Sequence, residues 1–308
     1  MISAAPIHEK VFLEEQSLRD GLQAESVTLP LAAKFEIFNK LKDAGIQRIQ
    51  AGSFVHPKIL PQMADTDQLV SMVQDSGLLI TGLVLNGKGL ERAMACGLHH
   101  VSISVSVSDT HSRNNVKKNR KETTQEIVEL IKRATDDGIT VRAGLQCAFG
   151  YLPEEHISEQ MLHETIGLLR EAGATECNLA DTAGMATPFQ IKKVVAGIIN
   201  NFPDLALSLH LHDTRGLAMA NLVAGYESGV GIFDTCTGGL GGCPFVTGAA
   251  GNLATEDVVS FFETTGVETG IDLDKLCHVT ELYEQFLQRP LTSKIPTLRK
   301  LLRQKREQ

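Results

Sequence analysis

Short apolar, β-branched runs alternate with longer amphipathic stretches along most of the chain. Eight of these runs have the length and composition of strands: residues 11–18, 45–51, 78–85, 100–107, 140–146, 176–180, 206–212 and 231–236. Eight stretches have the apolar spacing of helices: residues 31–44, 66–75, 88–97, 121–137, 158–172, 187–201, 216–229 and 252–266. Glycine follows several of these helices just before the next strand, as at Gly45, Gly138 and Gly173, which is a common helix-ending signal. The alternation predicts an α/β fold with a parallel sheet.

Eight strands that alternate with eight helices fit one closed (β/α)8 TIM barrel. An open doubly wound sheet is the competing fold, but no G-x-G-x-x-G follows the first predicted strand. We therefore predict a single domain over 1–308, with the barrel at about 11–268 and a helical tail at about 272–308. Apolar residues at helical spacing in the tail predict that it caps the barrel or forms a subunit contact, which favours a homodimer.

Composition and charge narrow the class of partner. A hydrophobic content of 43% and a charged content of 21% exclude a disordered chain. The net charge of −8 gives no electrostatic support to nucleic-acid binding. The longest apolar stretch, residues 78–85, is far shorter than the ~20 residues that span a bilayer, and residues 1–10 lack the apolar region of a signal peptide. We expect a cytoplasmic protein that acts on a small molecule, with neither a membrane nor a nucleic acid as partner.

Candidate metal ligands gather at the predicted strand ends, where TIM barrels carry their active sites. His210 and His212 end the seventh strand, and residues two apart on a strand share a face, so both imidazoles point into the barrel mouth. Asp20 follows the first strand, which neighbours the eighth in a closed barrel, and Asn252 follows the eighth. Imidazoles combined with carboxylate and amide oxygens suit a divalent ion, and the lack of a cysteine ligand favours Mg²⁺ or Mn²⁺ over structural Zn²⁺.

Each of these features also has a structural interpretation. His-x-His alone is equally compatible with two hydrogen-bonded interior histidines, and Arg19 with Asp20 also fits an ion pair at the barrel rim. The occurrence of both motifs on adjoining strands favours the metal site. Asp213 is expected to orient a histidine rather than to bind the ion. The basic run at 117–121 fits either coenzyme phosphates or, more simply, a solvated helix start.

These motifs resemble those of the DRE-TIM metallolyases, and within that group those of the 3-hydroxy-3-methylglutaryl-CoA lyases. The resemblance extends from about residue 11 to 297, and the segments that carry it are Arg19-Asp20-Gly21-Leu22-Gln23, Gly52-Ser53-Phe54-Val55, Pro61-Gln62-Met63, His210-Leu211-His212-Asp213-Thr214, Gly239-Leu240-Gly241-Gly242-Cys243-Pro244-Phe245 and Gly251-Asn252-Leu253-Ala254-Thr255-Glu256-Asp257. It implies metal-dependent cleavage of a carbon–carbon bond in a 3-hydroxyacyl-CoA or a related 3-hydroxy acid. The reference substrate is 3-hydroxy-3-methylglutaryl-CoA, which yields acetyl-CoA and acetoacetate.

The resemblance also implies roles for individual residues. The metal ligands are expected to be Asp20, His210, His212 and Asn252. Arg19 is expected to stabilise the enolate oxygen, and Cys243 to protonate the enolate carbon, although a glycine-rich loop also suits a cysteine with no chemical role. Asp181 is expected to take part in proton transfer and Glu256 to brace the loop. The expected substrate contacts are Gln23, Gln50, Asn86 and Gly144.

The expected substrate wall departs from the family pattern. Gln50 stands where the family has a glutamate, Gly144 where it has a tyrosine, and Val84-Leu85-Asn86 where typical lyases have Thr-Pro-Asn. The change at Gly144 is expected to open space at the substrate. Four serines alternate on the fourth strand, on a face that a barrel turns inward: Ser102, Ser104, Ser106 and Ser108. We therefore expect the family's chemistry on an altered substrate.

Three other functions remain open at the level of sequence. An aldolase of the same fold could act on a substrate without coenzyme A. A condensing acyltransferase of the isopropylmalate-synthase type shares Arg-Asp-Gly and His-x-His, but such chains usually carry a long additional C-terminal region. A barrel without catalytic activity fits the changes at Gln50 and Gly144, yet it gives no reason for all four ligand residues to be kept.

Overall fold

The computed structural model describes residues 7–242 and 250–306. Eight parallel strands close into a barrel in chain order, and β8 pairs with β1 to complete it. The strands are β1 (Phe12–Glu15), β2 (Arg48–Ser53), β3 (Leu79–Val84), β4 (His100–Ser106), β5 (Thr140–Gln146), β6 (Glu176–Asp181), β7 (Ala206–Leu211) and β8 (Ile232–Thr235). The predicted TIM barrel is confirmed.

The first strand is shorter than predicted, and its end positions part of the site. The buried Glu15 carboxylate accepts a hydrogen bond from the backbone N–H of Ser17 at 3.0 Å, which turns the chain away from the sheet. Residues Ser17–Gly21 then form one turn of π-helix, so Arg19 and Asp20 project from this turn rather than from a strand.

Helices surround the barrel and form the tail. The described helices are α1 (Leu31–Asp43), α2 (Thr66–Val73), α3 (Gly87–Ala95), α4 (Asp109–Val116), α5 (Arg120–Asp136), α6 (Glu159–Glu171), α7 (Pro188–Asn201), α8 (Ala218–Glu227), α9 (Thr255–Thr265), α10 (Leu273–Leu287) and α11 (Lys294–Arg306). Helix α4 was not predicted because it is polar throughout; the Ser108 side chain caps it by accepting from the N–H of His111 at 2.9 Å. None of the described helices has the length and apolar character needed to cross a membrane.

The lower interior of the barrel is charged rather than apolar. Arg142 on β5 is 1% exposed and reaches carboxylates from three other strands. Its guanidinium donates to Glu14 at 2.9 Å and to Asp234, and its Nε forms an ion pair with Glu176 at 2.8 Å without hydrogen-bond alignment. Buried charges are stable only when they are paired in this way.

Arg48 joins the same network from β2. It donates to the carboxylates of Glu14 and Glu176, at 2.7 Å in each case. Burial alone raises the pKa of Glu14, but the charges of Arg142 and Arg48 lower it to about 2, so this carboxylate stays ionised. Strands from all sides of the barrel are thereby connected through its centre.

The tail helix α10 connects the Arg19–Asp20 turn to the start of the glycine-rich loop. The Tyr283 hydroxyl donates to Ser17 Oγ at 2.8 Å, and one turn earlier Thr280 donates to Glu256 on α9. Glu256 in turn accepts the N–H of Gly238 at 2.9 Å. The tail therefore holds two segments that border the barrel mouth.

Replacing Arg142 with leucine is expected to leave three buried carboxylates without their shared cation. The free energy of unfolding, measured by urea denaturation, should fall by about 3–5 kcal/mol. Arg133→Leu is the control, because Arg133 pairs with Glu91 on the surface and such pairs contribute less than about 1 kcal/mol. Equal losses in both variants would contradict the role given to the central network.

Glu256 generates a prediction about pH. Burial raises its pKa to about 8 against the opposing hydrogen bonds from Thr280 and Gly238, so the folded protein binds this proton more tightly than the unfolded chain. Stability from this group is complete below pH 4.5 and is lost as pH rises toward 8, with a slope of at most about 1.4 kcal/mol per pH unit. Glu256→Gln should remove that slope in urea titrations between pH 5 and 8, whereas Glu263→Gln, on the exposed face of α9, should keep it.

Candidate active site

Three of the predicted metal ligands converge at the mouth of the barrel. Asp20 from the turn after β1, His210 on β7 and His212 just beyond β7 each offer a ligand atom, and these atoms lie within 4.8 Å of one another. The two Nε2 atoms of the histidines are 3.0 Å apart, and Asp20 Oδ2 is 3.9 Å from His210 Nε2. Both imidazoles are buried, so the cluster is largely shielded from water.

The Nδ1 atom of each imidazole has a hydrogen-bond partner that fixes the orientation of the ring. His210 Nδ1 lies 3.0 Å from Asp234 Oδ2, and His212 Nδ1 lies 3.2 Å from the carbonyl oxygen of Ala250. With Nδ1 as the hydrogen-bond donor in both rings, both Nε2 lone pairs face the cluster. The prediction that Asp213 orients a histidine is wrong, because its carboxylate accepts the N–H of Ala218 at the start of α8. The carboxylate that orients His210 is that of Asp234 on β8.

Asn252, the fourth predicted ligand, contacts Asp20 through its amide nitrogen. Its Nδ2 donates to Asp20 Oδ2 at 2.7 Å and to the carbonyl of Leu240 at 3.1 Å, which fixes the amide. Its Oδ1 is buried and has no hydrogen-bond partner among the described residues. Two imidazole nitrogens and a carboxylate fit a divalent ion, and the 3.0 Å between the imidazole nitrogens suits adjacent ligands at ~2.1 Å from a six-coordinate centre.

Two of the candidate ligands, His212 and Asp20, are in the protonation states that bind a metal at neutral pH. Burial lowers the pKa of His212 to about 4, so the imidazole is neutral and its lone pair is available. Burial alone raises the pKa of Asp20, but the charges of Arg19 and the histidines lower it to about 2, so the carboxylate is ionised. The cluster therefore binds a cation without first losing a proton from either group.

Arg19 lies directly beside the cluster in a fixed orientation. Its Nε donates to Gln50 Oε1, one terminal nitrogen to Asp20 Oδ1, and the other to Gln16 Oε1 at 3.0 Å. The predicted alternative of an Arg19–Asp20 ion pair is thus present, but Asp20 also directs its second oxygen to Asn252 and His210. One carboxylate therefore serves both the guanidinium and the candidate metal site.

A narrow cavity of about 60 Å³ separates the cluster from the opposite wall of the barrel. Its lining comprises Arg19, Gln50, Leu83, Ser102, Ser104, Arg142, Gly144, Gln146, Asn178, Ala180, Thr182, His210 and Asp234. Gln50 and Gly144 therefore lie where the sequence placed them, whereas Gln23 and Asn86 are not part of this lining. Asn86 is exposed and caps α3 by accepting the N–H of Gly89 at 3.0 Å.

The expectation that Gly144 opens space needs correction. A Cβ atom built at Gly144 would lie 2.4 Å from Ser104 Oγ on the adjacent strand, so the serine hydroxyl already occupies that position. The glycine is what allows the hydroxyl to lie there.

Asp181 and Glu256 do not line the cavity. Asp181 is buried at the end of β6, where it accepts the N–H groups of Met185 and Ala186, and burial raises its pKa to about 6. Glu256 braces the start of the glycine-rich loop through Gly238 rather than lining the cavity. Cys243 lies outside the described residues.

Sequence reasoning missed Asp234, Gln16 and Arg142. Asp234 and Arg142 are single charged residues within otherwise apolar predicted strands, at positions that alternate toward the barrel interior. That pattern is the signal that identifies them, because a buried charge requires a partner. Gln16 carries no comparable signal.

Comparison with known proteins agrees with this geometry. The HMGL-like family model matches residues 10–282. The (R)-citramalyl-CoA lyase of Chloroflexus aurantiacus is 37% identical over 294 residues, which cover 92% of this chain and 93% of that protein. The crystal structure of Bacillus subtilis HMG-CoA lyase is 34% identical, with a TM-score of 0.91, covering 96% of this chain and all of that one.

A third similar protein has bound ligands. The structure of an HMG-CoA lyase from Acinetobacter baumannii in complex with coenzyme A and 3-methylmalate is 33% identical, with a TM-score of 0.88. It covers 94% of this chain and 95% of that chain. Family model, relatives and solved structures thus agree over nearly the full length, and the chain belongs to the HMGL-like family of carbon–carbon lyases.

Proposed function

We propose that this protein is a divalent-metal-dependent lyase that cleaves a 3-hydroxyacyl-CoA. The reference substrate is 3-hydroxy-3-methylglutaryl-CoA, which gives acetyl-CoA and acetoacetate. The observation that carries the proposal is the cluster of Asp20, His210 and His212 beside the fixed guanidinium of Arg19, next to a narrow cavity. Such a site combines a Lewis acid with a cation at the position where negative charge develops.

The residues of this chain divide the reaction between them. Asp20, His210, His212 and Asn252 would hold a divalent ion, which would act as a Lewis acid and lower the pKa of the substrate's tertiary hydroxyl. Once a base has accepted the proton of that hydroxyl, the hydroxyl oxygen becomes a carbonyl as the adjacent carbon–carbon bond breaks, and the bonding electrons pass into the thioester enolate. Arg19 stabilises the enolate oxygen, and its three anchors hold the guanidinium ready before reaction. Cys243 then delivers the proton to the enolate carbon.

Asp181 has a supporting role in this proposal. Both of its oxygens accept backbone N–H groups of residues 185 and 186, and the side chain does not belong to the cavity lining described above. We therefore assign it to positioning the turn after β6, next to Ala180 and Thr182, which do line the cavity. Gln50 is a neutral anchor for Arg19, so it orients the guanidinium without adding charge.

(R)-Citramalyl-CoA is the second candidate substrate. A relative with that activity in its name is 37% identical to this chain, and the Acinetobacter baumannii structure contains 3-methylmalate with coenzyme A. Both candidate thioesters carry a tertiary hydroxyl on the carbon β to the thioester carbonyl, so the same residues serve either cleavage. Citramalyl-CoA differs in releasing pyruvate instead of acetoacetate.

The first experiment is an assay of acetyl-CoA release from each thioester, with Mn²⁺ or Mg²⁺ and with EDTA. We expect turnover that requires the metal and that EDTA abolishes. Turnover of one thioester identifies the acyl class. A folded protein that cleaves neither, or that works equally well in EDTA, would contradict the proposal.

Asp20→Ala and His212→Ala are expected to remove metal binding and at least ~10³-fold of the activity, because each deletes a ligand of the Lewis acid. Circular dichroism should show that both variants keep the barrel, since neither side chain belongs to the central Arg142 network. Mn²⁺ binding is measured by calorimetry. Wild-type affinity in either variant would contradict the ligand assignment.

Asp234→Asn tests the residue that holds His210. Loss of the carboxylate weakens the orientation of the imidazole, so Mn²⁺ affinity should fall by about 10–100-fold. Asp213→Asn is the matched control: the amide oxygen still accepts the N–H of Ala218, and affinity should stay within about twofold of wild type. A larger effect at Asp213 than at Asp234 would reverse the assignment.

A further inference from the structure

The wall that faces the metal cluster carries a group of polar side chains that the proposed reaction does not use. On β4, Ser102 and Ser104 line the cavity, while Val101 and Ile103 are buried in the core outside the barrel. Gln146 on β5 lines the same wall, and Ser104 pairs with Gly144 in the register of these two strands. We call Ser102, Ser104 and Gln146 the hydroxyl–amide wall. It lies across the barrel from Arg19, because β4 and β5 are opposite β1 and β8 in the closed sheet.

These side chains have no hydrogen-bond partner in the part of the chain that the structure describes. Ser102 is 5% exposed, yet within residues 7–242 and 250–306 no hydrogen bond is formed by its hydroxyl, by that of Ser104 or by the Gln146 amide. Ser106, two residues further along the same strand, does not line the cavity, and its hydroxyl donates to the carbonyl of Ser108 at 3.2 Å. The polar atoms of the wall face the cavity, where a bound molecule can supply the hydrogen-bond partners that the described residues do not.

Gly144 keeps this wall polar. Because a Cβ atom at position 144 would come within 2.4 Å of Ser104 Oγ, any larger residue would displace the hydroxyl from the surface of the cavity. Gly144 therefore leaves space beside β4, and the Ser104 hydroxyl fills that space with a hydrogen-bonding group.

The charges around the cavity determine what kind of group this partner is. Arg142 at the floor is committed to Glu14, Glu176 and Asp234, and Arg19 to Asp20. Both guanidiniums are therefore already paired, and neither is available to neutralise a carboxylate at the wall. Serine hydroxyls and a carboxamide, in contrast, can both donate hydrogen bonds to an uncharged hydroxyl and accept them from it. A second carboxylate there would approach the Asp234 carboxylate without a cation of its own.

We propose that the hydroxyl–amide wall binds an uncharged hydroxyl group on the C3 substituent of the acyl moiety. The natural substrate is then a 3-hydroxyacyl-CoA whose C3 substituent is hydroxylated rather than a plain methyl group. This inference rests on the proposed function, which places the C3 hydroxyl at the metal cluster and so directs a C3 substituent across the cavity toward β4 and β5.

The test compares two synthetic thioesters that differ by one oxygen: 3-hydroxy-3-methylglutaryl-CoA and its analogue with hydroxymethyl in place of the methyl group. A site built to bind a substrate hydroxyl discriminates against the analogue that lacks it. Wild-type kcat/KM in Mn²⁺ should therefore be at least roughly tenfold higher for the hydroxymethyl thioester. Ser102→Ala and Ser104→Ala should each reduce this preference by about five- to tenfold, through the hydroxymethyl substrate alone.

Ser106→Ala is the matched control on the same strand, and it should keep the wild-type preference. Equal kcat/KM for the two thioesters, a preference for methyl, or a preference that survives both serine variants would overturn this inference while leaving the proposed lyase activity intact. A protein that binds Mn²⁺ and cleaves neither thioester would contradict the proposed function, and the inference with it.

Discussion

The buried guanidinium of Arg142 is the constraint on which the rest of the site depends. It lies in the centre of the barrel and pairs with carboxylates from β1, β6 and β8. One of these, Asp234, uses its other oxygen to hold Nδ1 of His210, so the same carboxylate links the ionic centre to the candidate metal cluster. Because a buried charge without its partner is costly, the guanidinium and its carboxylates fix one another, and the imidazole orientation follows from their arrangement.

Two buried carboxylates near the mouth of the barrel have pKa values shifted in opposite directions by their surroundings. Asp20 lies against Arg19 and two imidazoles, which overcome its desolvation and lower its pKa to about 2. Glu256 has only neutral donors around it, and its desolvation prevails to raise its pKa to about 8. The first group is thereby prepared to bind a cation, and the second is held as a neutral brace between α9, α10 and the start of the glycine-rich loop.

The fold and the grouping of the candidate metal ligands could be predicted because both follow from short-range patterns. Alternating periodicity predicted all eight strands, and the spacing of two placed His210 and His212 on one face. The errors concern contacts between strands. Asp213 was chosen as the support of a histidine because it is adjacent in sequence, but the β7–β8 register brings Asp234 opposite His210. Likewise, only the β4–β5 register reveals that Ser104 fills the space beside Gly144.

The two sides of the cavity have separate tasks, and Arg142 limits how far they can change independently. The candidate metal ligands and Arg19 come from β7 and from the segments after β1 and β8, whereas the hydroxyl–amide wall comes from β4 and β5. In the proposed site, residues at 102, 104, 144 and 146 can therefore change without moving a candidate metal ligand. Position 142 cannot, because it lies on the same inward face of β5 but also supports His210 through Asp234. The proposed choice of acyl group thus depends on cavity residues other than Arg142. Arg142 itself is constrained because it supports the candidate metal cluster through Asp234.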